Sequence, residues 1–431
     1  MDTAISFPKY KKYKDSGVEW LGDIPADWTL ARLGSVFEER KEKVSDKEFA
    51  PLSVTKNGVV PQLATAAKSD DGDNRKGVRL GDFVINSRSD RKGSSGIAHS
   101  DGSVSLINIV LKPKGIVPSY CEHLLKSNGF IEEFYRVGHG IVADLWTTKY
   151  WDMKSIQIPL PDLSTQQSIA NFLDQKTAEI DAAIAKKQRL IELLKEQKAI
   201  LINQAVTQGL DPNVPMRDSG VEWIGKVPEH WLLPPMYSRF RIELGKMLDS
   251  KKITGKHLVP YLRNTDVQWG RINNTDLPMM DIDPIEIDRY SVRNGDLLVC
   301  EGGEIGRCAI WSSANEEEVI GFQKALHRVR SFQSSEENIR YLFYVMKAAG
   351  DAGAFQLTAK TSTISHLTGE MFRAYRLPKP PIEDQDKIVD FLDTELDRVN
   401  ELVQRERTSI KLLHELKGAF ISEAVTGKIK L

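Results

Sequence analysis

Six cationic side chains, Arg75, Lys76, Arg79, Arg88, Arg91 and Lys92, crowd into eighteen positions and alternate with Asn74, Asn86, Ser87, Ser89, Ser94 and Ser95. Guanidinium and ammonium groups neutralise phosphates, and arginine can also pair with the O6/N7 edge of guanine through two parallel hydrogen bonds. Further along, Arg263-Asn264-Thr265, Gln268-Trp269-Gly270-Arg271 and Asn273-Asn274 set amides and guanidinium groups beside an aromatic ring. Asparagine and glutamine suit the N6/N7 edge of adenine in the same bidentate way. Arg307 follows the glycines of Gly302-Gly303-Glu304-Ile305-Gly306, and Lys360-Thr361-Ser362-Thr363 with Ser365-His366 forms one more polar, basic run. The residues expected at duplex DNA are therefore Arg75, Lys76, Arg88, Arg91, Lys92 and Ser94, then Arg263, Asn264, Gln268, Trp269, Arg271 and Arg307, then Lys360, Thr361 and Ser362. A charged loop is as often a plain solvated face, so the expectation attaches to the regions more than to any one side chain.

No comparable set of residues points to catalysis. An amino-methyltransferase needs an Asp/Asn-Pro-Pro-aromatic loop, and Leu233-Pro234-Pro235-Met236-Tyr237 lacks the polar first residue and misplaces the aromatic. There is no G-x-x-x-x-G-K-[ST] phosphate loop, and the eight histidines show no metal-ligand spacing. Gly138-His139-Gly140 reads as a turn, and no pair of acidic residues reads as a nuclease or glycosidase centre. The chain is expected to be non-catalytic and to bind neither metal nor cofactor itself.

The elements that position these loops come from a duplicated frame. Lys14-Asp15-Ser16-Gly17-Val18-Glu19-Trp20-Leu21-Gly22 is echoed by Arg217-Asp218-Ser219-Gly220-Val221-Glu222-Trp223-Ile224-Gly225, and each copy continues to a proline and a tryptophan, Pro25 and Trp28, then Pro228 and Trp231. A second echo runs from Ile158-Pro159-Leu160-Pro161 through Gln166 and Phe172-Leu173-Asp174, and again from Leu377-Pro378-Lys379-Pro380 through Gln385 and Phe391-Leu392-Asp393. The copies close on Ala205-Val206-Thr207 and Ala424-Val425-Thr426. The middles, roughly 30–155 and 232–372, share little beyond Gly81-Asp82 and Gly295-Asp296, each followed by an apolar run. This is a tandem duplication of domain plus helix, not a solenoid.

From Ser164 to Thr207 there is no glycine or proline, and apolar residues keep heptad spacing through Ala170, Ile184, Ile191 and Ala205, and through Leu173, Ile180, Leu194 and Leu201. Val389, Leu396, Val403, Ile410 and Ala424, with Leu392, Val399, Leu413 and Phe420, repeat the pattern. Such a narrow stripe needs a partner helix. The expected fold is therefore mixed α/β (α+β): two globular domains, each followed by a long helix, with the helices forming an antiparallel coiled coil about a pseudo-two-fold axis. The boundaries are 1–163, 164–208, 209–382 and 383–431. Lys187 and Glu406 interrupt the seam at equivalent points near each midpoint, where antiparallel helices cross. They are expected to meet there, since burying one charge alone costs on the order of 3–5 kcal/mol; the alternative is that both reach solvent. Each middle reads as one modest sheet with helical runs at Tyr120–Phe134 and Glu337–Ala349.

At 431 residues, with 41% apolar and 28% charged residues, the chain suits two soluble domains and no membrane span. Three cysteines, Cys121, Cys300 and Cys308, fit reduced thiols in a cytoplasm. A formal net charge of −1 argues against a sequence-blind polycation, while leaving room for a local basic face.

With the frames at Asp15–Trp28 and Asp218–Trp231, the Pro-Leu-Pro and Pro-Lys-Pro lead-ins, Gln166 and Gln385, and two long helices, the chain resembles the specificity subunit of type I restriction-modification systems. Asp211-Pro212-Asn213-Val214-Pro215-Met216 also looks like that family's linker. The resemblance spans essentially the whole chain. It implies a target-recognition domain for each half of an asymmetric bipartite DNA target, with the helices setting the spacer. It implies two modification (methyltransferase) subunits docked on the helices, and restriction (motor-nuclease) subunits joining them. S-adenosylmethionine, ATP and Mg would belong to those partners, as would adenine methylation and ATP-dependent cleavage. Two rivals remain: a coiled-coil scaffold joining two protein-binding domains, and the specificity subunit of a related two-component restriction enzyme.

Overall fold

In the computed structural model the chain is described over residues 7–65, 72–141, 146–248, 255–315, 317–357 and 366–431. Two helices dominate it, Leu163–Gln208 and Ile382–Val425. At about 1.5 Å per residue they run to roughly 69 and 66 Å. The first starts where the chain leaves the strand Gln157–Leu160 and its prolines, with the Asp162 carboxylate accepting the Thr165 N–H at 3.0 Å. Both stop at a glycine of positive φ, Gly209 (79°) and Gly427 (71°). The left-handed backbone alone strains any other residue at either position, and space is tight at the first and lacking at the second. A Cβ on Gly209 would lie 3.2 Å from the Trp231 ring, and one on Gly427 would lie 2.4 Å from Pro25.

Two compact units make up the chain, residues 1–188 with 407–431, and residues 189–406. Each long helix is thus shared between them. In the first unit an antiparallel four-stranded sheet runs in the order Ser95–Ile97, Phe83–Asn86, Asn108–Pro113, Phe37–Glu39. A three-stranded sheet (Gly102–Val104, Arg75–Val78, Lys43–Val44) and the hairpin Leu52–Thr55/Gly58–Pro61 accompany it. Its core joins Trp28, Phe37, Phe83, Tyr120, Phe130 and Phe134 to Leu173 and Ile180 of the first long helix and Phe420 and Ala424 of the second. The two helix segments run antiparallel within this unit, with Phe172 against Phe420 and Asp181 bonded to Lys417 at 2.7 Å.

The second unit repeats the construction. Its four-stranded antiparallel sheet runs Cys308–Ile310, Leu297–Cys300, Leu326–Ser331, Phe240–Leu244, the same order by chain position. A three-stranded sheet again accompanies it: Met279–Asp281, Leu258–Leu262, Gly321–Phe322. Trp231, Phe240, Tyr341 and Phe372 pack with Ile202, Ala205 and Val206 of one long helix and Ile388, Val389, Leu392 and Leu396 of the other. The expectation of one modest sheet per domain therefore falls short. The strands are too short and too evenly buried to show period-two alternation in the sequence. Likewise the run Tyr120–Phe134 is two helices, Pro118–Leu125 and Asn128–Arg136, because Ser127 caps the second.

The duplicated frame has a duplicated structure. The Lys14 ammonium donates to the carbonyls of Ala26 and Trp28, and the Arg217 guanidinium does the same at Glu229 and Trp231. Asp15 and Asp218 each accept the N–H two residues on, at 2.8 Å. Gln166 and Gln385 are both buried and make matching bonds. Each donates to the proline carbonyl five residues back (2.8 and 3.0 Å) and accepts the N–H of the residue capping a domain helix, Val117 or Asn338, at 2.9 Å. Each glutamine thereby ties the start of its long helix to the domain before it. The heptad stripes are the buried faces of the helices, running in the first through Ile180, Ile184, Ile191 and Leu194, while Lys187 and Glu406 are half-buried.

Candidate nucleic-acid interface

The Gly-Asp pair shared by the two middles is an anchor for the loops. Asp82 accepts the Arg79 N–H at 2.8 Å and the Arg40 guanidinium through two bonds, at 2.6 and 3.0 Å. Asp296 accepts the Arg293 N–H and, again through two bonds, the Arg330 guanidinium, all at 2.7 Å. Both carboxylates are buried, and the bonding raises the pKa of Arg40 and Arg330 above the ordinary arginine value. Each Asp fixes the start of a central, fully buried strand, Phe83–Asn86 or Leu297–Cys300. Both strands run straight out into the loops singled out in the sequence, 86–95 and 300–307. The role of Arg40 and Arg330 was not legible locally; the repeated Gly-Asp was the one signal that pointed to it.

The first cluster is brought together by this strand end, and its side chains differ sharply in freedom. Arg75 is buried, its Nε bonded to the Ser103 hydroxyl at 2.9 Å. Lys76 donates to the Asn108 carbonyl at 2.7 Å and lies 3.7 Å from Glu39, and burial lowers its pKa. Arg79 is shared between Glu42 and Asp101, and Lys92 reaches Glu132 at 2.6 Å. Arg91 is exposed beside Asp90 (3.6 Å), Arg88 is exposed, and Ser94 is buried. Between this loop and the hairpin tip at Thr55 and Lys56 lies a polar groove of about 700 Å³, walled by Asn86, Arg91, Asn108 and Gln62.

In the second unit the candidates divide similarly. Arg263 makes a two-bond pair with Asp266, at 2.9 and 2.8 Å. Asn264 donates to the Gly302 carbonyl and accepts from Arg307 at 2.8 Å, so both belong to one internal network. Trp269 is half-buried and donates to Glu304 at 2.6 Å, with Lys347 over its ring. Gln268 donates to the Thr265 carbonyl, and Arg271 is exposed on the short hairpin strand Arg271–Ile272. Lys360, Thr361 and Ser362 lie outside the described residues.

Among the described residues no group of three His, Cys, Asp or Glu could hold a metal ion, and no helix is long and apolar enough to cross a membrane. Cys121, Cys300 and Cys308 are buried and unpaired, and burial pushes the thiols of Cys121 and Cys308 well above their ordinary pKa, which leaves them inert.

Residues 240–412 match the family described as the type I restriction modification DNA specificity domain. The chain is 21% identical over 326 residues to the EcoKI specificity subunit of Escherichia coli K12, covering 74% of this chain and 68% of that protein. It is 22% identical to the MjaVIII specificity subunit of Methanocaldococcus jannaschii, over 95% of this chain and 94% of that one. Among solved structures, a chain described under complex assembly and conformational transition of the type I R-M system superposes with a TM-score of 0.71 (16% identity, 93% and 98% covered). The HsdS subunit of Thermoanaerobacter tengcongensis gives 0.57 at 17% identity, with 94% and 98% covered.

Proposed function

We infer, from a chain that belongs to the family of type I restriction-modification specificity subunits, that it reads a bipartite DNA target and recruits the subunits that act on it. One half of the target is assigned to each unit, and the long helices set the distance between the halves. Two modification subunits dock on the helical frame and bring S-adenosylmethionine, and restriction subunits bring ATP and Mg. The chain's own work is binding and positioning.

The observation that carries this reading is the repeated construction with unequal loops. The same four-stranded sheet, the same buried Asp–Arg anchor and the same glutamine tie occur twice, while the loops after the central strands carry different side chains. A repeated scaffold with unlike loops suits two different half-sites. The polar, basic make-up of those loops favours nucleic acid over a protein partner. Titration of a duplex DNA pool with the purified chain, in the complex in which cells yield it, tests the reading. Affinity should fall steeply and linearly on logarithmic axes as salt rises. Absence of duplex binding at low salt would reject it in favour of a protein scaffold.

A further inference from the structure

The deepest assignment the structure allows concerns one residue of the first unit, and it rests on the DNA-reading function just proposed. Of the six cations in the cluster, four are bonded to a partner elsewhere in their own unit: Arg75 to Ser103, Lys76 to Asn108 and Glu39, Arg79 to Glu42 and Asp101, and Lys92 to Glu132; Arg91 is exposed and lies 3.6 Å from its neighbour Asp90, whose charge offsets its own. An incoming base or phosphate would have to displace those partners. Arg88 is exposed, and among the described residues its guanidinium has no hydrogen-bond or ion-pair partner.

Its backbone, in contrast, is held on every side. The Arg88 N–H donates to Asn86 Oδ1 at 3.0 Å, and its carbonyl accepts from the Tyr135 hydroxyl at 2.9 Å and the Arg91 N–H at 3.2 Å. The flanking residues are tied to the returning segment: the Thr148 N–H donates to the Ser87 carbonyl at 3.0 Å, and the Ser89 N–H to the Trp146 carbonyl at 3.1 Å. A phosphate contact needs no such fixation, because a flexible point charge serves it. A planar fork carried on an immobilised backbone is what two-bond recognition of a base edge requires, since the ordering cost is met before binding.

We propose that Arg88 is the base-reading side chain of the first recognition unit, donating two parallel N–H bonds to the O6/N7 edge of a guanine in the major groove. The second unit has no counterpart at this place. Gly302 stands two residues beyond its central strand, as Arg88 does, and a Cβ there would come within 2.9 Å of the His366 ring. The two half-sites therefore differ at the position that Arg88 reads.

The test uses the full-length chain in its purified complex, with duplexes selected from a randomised pool and sequenced. Wild type, Arg88→Ala and Arg88→Lys are compared; lysine keeps the charge and loses the fork. Both variants should lose preference at a single G·C pair of one half-site, by roughly 5- to 150-fold, the range for one two-bond arginine–guanine contact. The other half-site should be unchanged, which also reports that the variants are folded. Uniformly weaker binding with an intact motif would make Arg88 a phosphate contact and overturn the proposal, as would unchanged affinity and motif. If the wild-type complex selects no motif at all, the DNA-reading function itself fails, whatever Arg88 does.

Discussion

At the residue scale, the most demanding interaction is the buried pair of Arg239 and Glu337. Both side chains are at most 3% exposed and meet through two bonds, at 2.8 and 2.6 Å. The remaining arginine nitrogen turns to the carbonyls of Leu377 and Pro378, just ahead of the second long helix. Glu337→Gln would strand a buried guanidinium, and the second unit should lose about 3–5 kcal/mol. Chemical denaturation measures this, and a loss below about 1 kcal/mol would mean that the Leu377 and Pro378 carbonyls and solvent already satisfy the guanidinium. The basic cluster shows why such commitments are hard to read from sequence. Its cations were visible as chemistry, but their partners Ser103, Asn108, Glu42 and Glu132 lie 28 to 40 residues away. Only the fold decides which cation stays free.

At the element scale, the two long helices were legible and each starts within one residue of its expected position, since prolines and capping residues are local signals. The sheets were not. Two middles that share little sequence build the same strand order in their four-stranded sheets, because burial on both faces constrains apolar content and leaves its pattern open. The frame residues Gln166 and Gln385 were legible as a repeat, but their shared bonds to Val117 and Asn338 were not. The proposed meeting of Lys187 and Glu406 takes a different energy in light of their exposure. Both side chains are half-exposed. The pair is then worth what surface pairs are worth, about 0.2–1 kcal/mol, not the cost of a buried charge. A double-mutant cycle with no measurable coupling rejects the meeting. As a ruler, the helices make a further prediction. Seven extra residues in each keep the heptad seam and add about 10.5 Å, or about three base pairs at 3.4 Å. The selected target should keep both half-sites and gain spacer; altered half-sites with an unchanged spacer would contradict the ruler.

At the scale of the whole molecule, the duplication is the main fact, and it survives where the sequence loses it. Frames, four-stranded sheets, anchors and helix ties are each present twice, while the accompanying three-stranded sheets differ: the first unit's is wholly antiparallel, and the second's pairs Leu258–Leu262 in parallel with Gly321–Phe322. Independence of the two readers follows: exchanging residues 30–155 for the corresponding segment of a relative should alter one half of the target and leave the other. The measurement that bears most directly on the central claim is sequencing of modified bases in the DNA of cells that carry this chain with its complete system. Methylated adenines are expected in one asymmetric, bipartite motif, two unlike half-sites separated by a spacer of fixed length and free sequence. A single contiguous motif, or two identical half-sites, would contradict it.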